Sequence, residues 1–119
     1  MRKIYTLKGS VPSKKNSRIN TRSGRSFPSK AFTEWHQDAE QQLVLQGLER
    51  FEEPVSIQAD FYFENNICRD LDNTITSILD LFTDLGIIKD DRWQCVPEIV
   101  LTGQLDKNNP RTLIKIETL

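Results

Sequence analysis

Apolar and polar residues alternate most regularly along Val55-Ser56-Ile57-Gln58-Ala59-Asp60-Phe61-Tyr62-Phe63, with the apolar side chains at the odd positions. A period of two predicts a strand with one buried face. Residues 2–8 alternate more loosely, Ile4 and Thr6 set against Tyr5 and Leu7, and predict a first strand that Gly9-Ser10-Val11-Pro12-Ser13 ends. From Lys30 to Glu49 the pattern changes to helical spacing, carried by Ala31, Phe32, Trp35, Ala39, Leu43, Leu45 and Leu48. Ser29 is placed to cap that helix and Gly47 falls near its end. A second helical stripe, Leu71, Ile75, Ile78, Leu79, Phe82 and Leu85, runs into Gly86, where a C′ glycine belongs. Trp93 to Gly103 and Thr112 to Leu119 predict two further strands, joined by the polar turn from Gln104 to Pro110. The order β-α-β-α-β-β, free of repeats, predicts one α/β (α+β) domain over residues 1–119, with a mixed four-stranded sheet and two helices. Helices on one face would leave the other face for a partner.

Between the first strand and the first helix the periodicity disappears. Lys14 to Lys30 is a 17-residue stretch rich in Ser, Asn, Thr and Arg, the core of a polar basic loop over about residues 10–30. Arg22-Ser23-Gly24-Arg25 sits like the tip of a hairpin or loop. Polar loops of that length are usually functional or mobile.

Charge sharpens the division. The net charge is −1, yet residues 1–30 hold nine Lys or Arg and no acid, while the other 89 residues hold seven basic and seventeen acidic side chains. A basic pole suits a phosphate backbone and an acidic pole suits metal ions. A solvated basic N-terminus accounts equally well for the charge alone. No apolar run approaches the ~20 residues of a membrane span, and the N-terminus lacks a signal-type apolar region, so a cytosolic protein is expected. Cys68 and Cys95 form no CxxC pair and read as reduced thiols. His36, a lone histidine with no partner at ligand spacing, reads as structural.

Acids bracket the second helical stripe: Arg69-Asp70-Leu71-Asp72-Asn73 before it and Lys89-Asp90-Asp91 after it. If the preceding strand reaches Asp72, Asp70 and Asp72 share a side; within a helix they would diverge by about 200°. The pair is therefore expected at a strand end, with Asp72 or Asn73 as helix cap. Two N-terminal acids that merely complement the helix dipole are the competing explanation. A helix from Asn73 to Leu85 is about 18–20 Å long, whereas the chain from Gly86 to Asp91 reaches at most about 17 Å. Asp91 can approach Asp72 only if Gly86 reverses the chain and Ile87-Ile88 runs back along the helix. Asp90 and Asp91 cannot both face one point, so one is a ligand and the other auxiliary. Three gathered carboxylates suit a hard divalent cation and metal-assisted phosphodiester hydrolysis. A single His leaves no Ser-His-Asp alternative, and no glycine-rich nucleotide loop is present.

With these residues the chain resembles the RusA family of Holliday junction resolvases. The shared pattern is Arg69-Asp70-Leu71-Asp72-Asn73, a helix ending in Leu85-Gly86-Ile87, and Asp90-Asp91; Pro12-Ser13-Lys14-Lys15-Asn16-Ser17-Arg18 is similar to the family's Pro-Ser-x-x-Asn region. The resemblance implies a small homodimeric, often prophage-encoded endonuclease that cuts four-way DNA junctions with Mg²⁺, for which Mn²⁺ can substitute. It implies Asp70, Asp72 and Asp91 as catalytic metal ligands, with Asp90 beside them. Lys14, Lys15, Asn16, Arg18, Arg22, Arg25 and Lys30, together with Arg69 and Asn73, are the expected DNA contacts. One departure is Thr76, which stands where the family's best-known member carries a lysine one turn into the helix; either a lysine from elsewhere fills the role, with Lys14 or Lys15 expected ahead of Lys30 and Lys89, or activity is weaker. A junction-binding module without turnover, and an assembly protein with solvated acidic caps, are the other function classes in play.

Overall fold

Val55–Phe63 is the strand from which the sheet grows, and the computed structural model describes it together with residues 1–13, 18–20, 22, 24 and 26–119. In chain order the elements are β1 (Arg2–Lys8), β2 (Arg18–Asn20), β3 (Ser26–Pro28), α1 (Lys30–Gln46), β4 (Val55–Phe63), α2 (Leu71–Asp84), β5 (Glu98–Leu105) and β6 (Arg111–Thr118). The main sheet has the order β1-β6-β4-β5. β6 lies antiparallel to both β1 and β4, whereas β4 and β5 are parallel. Parallel neighbours need a crossover, and α2 supplies it. The sheet is thus mixed, as the pattern of elements predicts.

Val55, Ile57, Ala59, Phe61 and Phe63 are all buried, while Ser56, Gln58, Asp60 and Tyr62 between them are only half-buried. Their buried side joins Ile75, Ile78, Leu79, Leu81 and Phe82 of α2 and Ala39 and Leu43 of α1 in one core. Each of the Val, Leu, Ile and Phe side chains contributes roughly 1.5–3 kcal/mol when fully buried. The opposite face carries polar cross-strand links: Ser56 donates to Glu98 (2.6 Å) and Thr102 donates to Asp60 (2.6 Å). At its far end the Arg111 guanidinium lies 3.9 Å from the centre of the Tyr62 ring and donates to Asp106 (2.9 Å), holding that carboxyl below the usual carboxylate range.

Three boundaries differ from the sequence expectation. The first helix stops at Gln46 rather than Glu49, because Tyr5 gathers the chain that follows: its hydroxyl donates to Gly47 C=O (3.1 Å) and accepts from Glu49 N–H (2.9 Å). Leu45 and Leu48 are exposed and are no part of the core. Trp93 to Pro97 form no strand; the N–H groups of Cys95 and Val96 both bond to Arg92 C=O (2.9 Å each), closing a helical turn, and β5 runs from Glu98 to Leu105. The polar loop contains a short hairpin, Arg18 paired with Pro28 and Asn20 with Ser26, around the tip expected at Arg22 to Arg25. Cys68 and Cys95 are free thiols, and no helix is long and apolar enough to cross a membrane.

Tyr5 is fully buried, and burial raises its phenol pKa above the ordinary value of 10.0. Replacing it with Phe strands the Gly47 carbonyl and the Glu49 N–H, and is expected to cost about 1–2 kcal/mol in urea unfolding at neutral pH. A folded-state pKa raised above the unfolded one contributes stability that is complete below about pH 10 and lost as pH rises through the folded value. The difference between parent and Tyr5→Phe should therefore shrink in alkaline unfolding curves.

Candidate active site at the ends of the second helix

After β4 the chain turns through residues 64–69 and enters α2 under tight local control. Arg69 stacks on Phe63, guanidinium to ring centre 4.5 Å, and donates to Asn65 C=O (3.2 Å). That fixes Asp70 as the N-cap in extended conformation (φ −95°, ψ 121°). Its backbone carbonyl accepts from the N–H of Asn73, the N–H of Thr74 and the Thr74 hydroxyl, each at 3.1 Å. The Asp70 carboxylate does not cap the helix; Asn73 Nδ2 approaches it at 3.3 Å. Asp72 lies in the first helical turn and is exposed, with the Thr76 hydroxyl donating to its carbonyl (2.9 Å).

The pair is therefore not at a strand end. β4 stops at Phe63, Asp70 is the cap instead of Asp72 or Asn73, and Leu71 already belongs to the helix. The reason is packing. Leu71 presses so close to β5 that a Cβ on Gly103 would meet its Cδ2 at 3.2 Å, and this contact draws Leu71 into the core edge at the point where a strand would have continued.

The basic loop starts at this same end of α2. Ser77 donates to Pro12 C=O (2.6 Å) and Glu64 N–H donates to Ser10 Oγ (3.1 Å). Between them lies a cleft of about 260 Å³ lined by Pro12, Ser13, Glu64, Arg69, Asp70 and Thr74 among others. Of the expected DNA contacts, Lys14, Lys15, Asn16 and Arg25 lie outside the described residues, and Arg18 is described only as part of β2. Arg22 is exposed, and Lys30 is exposed with Glu34 at 3.9 Å. Arg69 and Asn73 stand at the cleft or one step from it.

Asp90 and Asp91 are elsewhere. Gly86 (φ +74°) does reverse the chain, with N–H groups of Gly86 and Ile87 bonding back to Thr83 and Phe82 at 3.1 and 2.9 Å. The buried Ile87-Ile88 pair then docks beside Phe51, whose N–H bonds to Ile87 C=O (2.9 Å), and Cys95 C=O accepts from Val55 N–H (3.0 Å) at the start of β4. Asp90 and Asp91 sit between those two anchors, the Asp91 N–H bonded to Asp90 Oδ1 (2.8 Å). The two acidic groups thus occupy opposite ends of a helix about 21 Å long. Among the described residues, the one group of three His, Cys, Asp or Glu ligand atoms within 4.8 Å is His36, Asp80 and Asp84; Asp70, Asp72, Asp90 and Asp91 make no such group. His36 is also better connected than a lone histidine: Glu40 is 3.0 Å from Nδ1 and Asp84 3.2 Å from Nε2.

The donors at the first end, Asp70, Asp72 and Asn73, are all oxygen or amide groups on an exposed helix start, a set that suits Mg²⁺. No curated protein matches this chain. The family model for endodeoxyribonuclease RusA matches residues 9–117, from the end of β1 almost through β6. The chain belongs to the RusA endodeoxyribonuclease family.

Proposed function

We propose that this protein is a Mg²⁺-dependent, structure-selective endodeoxyribonuclease that resolves four-way DNA junctions by paired phosphodiester hydrolysis. The observation that carries this, beyond family membership, is the tether between the polar loop and α2. The Ser77–Pro12 bond brings the start of the Lys14 to Lys30 segment to the helix that begins at Asp70. Arg69 and Asp70 line one cleft there, a cation for phosphate beside a carboxylate for metal.

In this proposal Asp70 and Asp72 hold the ion, Asp91 completes its ligands and Asp90 supports Asp91. Mg²⁺, or Mn²⁺ in its place, would supply Lewis-acid charge at the scissile phosphate. Arg69 is held in place by Phe63 and Asn65, so its charge is already oriented when a phosphate arrives. Lys14, Lys15, Asn16, Arg18, Arg22, Arg25 and Lys30 grip the backbone, and Asn73 steadies the Asp70 carboxylate. Thr76 offers no cation, and Lys14 or Lys15 takes that role from the loop.

The acids at opposite ends of α2 bear on assembly. A two-fold homodimer can set Asp91 of one copy beside Asp70 and Asp72 of the other, and it also provides the two equivalent sites that paired incision of a symmetric junction requires. A junction-binding protein without turnover is the second reading, favoured by Thr76.

Incubation with a synthetic four-way junction should give paired nicks with Mg²⁺ and binding alone without it; binding with no cutting under either condition would establish the second reading. Asp70→Asn and Asp72→Asn should each slow cutting by about 10³-fold, about 4 kcal/mol of barrier, with junction binding retained in mobility-shift assays. A mixture of Asp72→Asn and Asp91→Asn proteins should regain single-strand nicking, because the mixed dimer keeps one intact set of carboxylates. A mixture as inactive as its components would mean that each copy uses only its own acids.

A further inference from the structure

A second constellation lies where the two helices meet, away from the cleft at Asp70. His36 of α1 faces Asp80 and Asp84 of α2, and one ligand atom from each falls within 4.8 Å of the other two. The two aspartates are one turn apart, so both point from the same face of α2. His36 is mostly enclosed, its side chain 17% exposed, with its ring 6.4 Å from Phe32 and 6.3 Å from Trp35. Those neighbours fix the plane of the imidazole. A cleft of about 380 Å³ opens above it, lined by Phe32, His36, Glu40, Asp80 and Asp84 among others.

The two ring nitrogens have different partners. Nδ1 is 3.0 Å from Glu40 Oε1 and Nε2 is 3.2 Å from Asp84 Oδ2. A proton on Nδ1, donated to Glu40, leaves the Nε2 lone pair directed at the two aspartates. A carboxylate behind a histidine in this way is the usual outer support of a metal-binding imidazole, and it raises the ligand's basicity. One imidazole nitrogen with two carboxylates suits borderline ions such as Zn²⁺ or Co²⁺ over Mg²⁺, Ca²⁺ and Mn²⁺, which prefer oxygen. The open cleft leaves room for water to fill the remaining positions.

We propose that His36, Asp80 and Asp84 form a binding site for a divalent transition-metal ion of the zinc class, oriented by Glu40, that clamps α1 to α2. Loading releases to solvent the Nε2 proton that His36 shares with Asp84 in the ion-free state and puts the shared ion in its place. Asp80 lies eight residues from Asp72 along the same helix, a rise of about 12 Å, so the clamp is separate from the proposed nuclease ligands. It bears on them only by holding the helix that carries Asp70 and Asp72. The same distances also fit an imidazolium between Glu40 and Asp84 with no ion, and the two states differ in what they bind.

The test uses the full chain after chelator treatment, titrated with Zn²⁺ by calorimetry and with Co²⁺ by its visible d–d absorption. With Mg²⁺ in excess to occupy the proposed nuclease ligands, one equivalent should bind, and Zn²⁺ should raise the melting temperature by several degrees. Asp84→Asn, at a half-exposed position, should weaken binding at least ten-fold. Glu40→Gln should weaken it by about 10–100-fold with stoichiometry unchanged. Asp72→Asn and Cys68→Ser should bind like the parent. Absence of a Co²⁺ band in the parent, parental affinity in both Asp84→Asn and His36→Gln, or loss of binding in Asp72→Asn or Cys68→Ser would each overturn the proposal.

Discussion

The burial of every second residue of β4 is the constraint on which the rest of this molecule depends. Val55, Ile57, Ala59 and Phe61 are almost wholly removed from solvent, which a strand achieves only with neighbours on both sides and a layer over one face. β6 takes one side antiparallel and β5 the other in parallel. A parallel neighbour obliges the chain to return across the sheet, and the return is α2. The helix therefore runs the length of β4, and whatever stands before and after it is separated by that length. Asp70 and Asp72 against Asp90 and Asp91 are a consequence of sheet topology before they are a matter of chemistry.

Much of this was legible in the residues. The alternation from Val55 to Phe63 identified the strand and its buried face, though not where it ends, and the stripe from Leu71 to Leu85 identified the helix and its core face, because both are periodic signals that tertiary packing reinforces. Gly86 was legible too, since the chain must reverse after Leu85 and a residue at φ +74° favours glycine. Where the reversed chain then goes was not, because Ile87 and Ile88 are apolar in either course and only Phe51 determines which surface they meet.

The misreadings share a cause. Asp-Leu-Asp alternates, and alternation reads as strand, yet Leu71 answers to a glycine far along the chain on β5. Leu45 and Leu48 keep helical spacing, but Tyr5 diverts the backbone between them. His36 has Glu40 one turn on in its own helix, but Asp80 and Asp84, which complete the group, belong to another helix. Each time the deciding contact joins residues that are distant in sequence, so no local window contains it. The polar loop has no apolar pattern to read, and its hairpin is short enough that pairing leaves little trace in composition.

Gly103 has a further meaning for how such a protein changes over time. It sits on an exposed strand, makes no contact with DNA or metal in any of the roles assigned above, and would pass for a neutral surface position. Yet a single methyl group there would force Leu71 to give way by a few tenths of an ångström, and Leu71 lies between Asp70 and Asp72 in the chain. Small replacements on the helix-facing side of an edge strand would thus retune the spacing of two carboxylates without altering either one. Drift in whatever those two carboxylates do can begin at a residue that has no side chain at all.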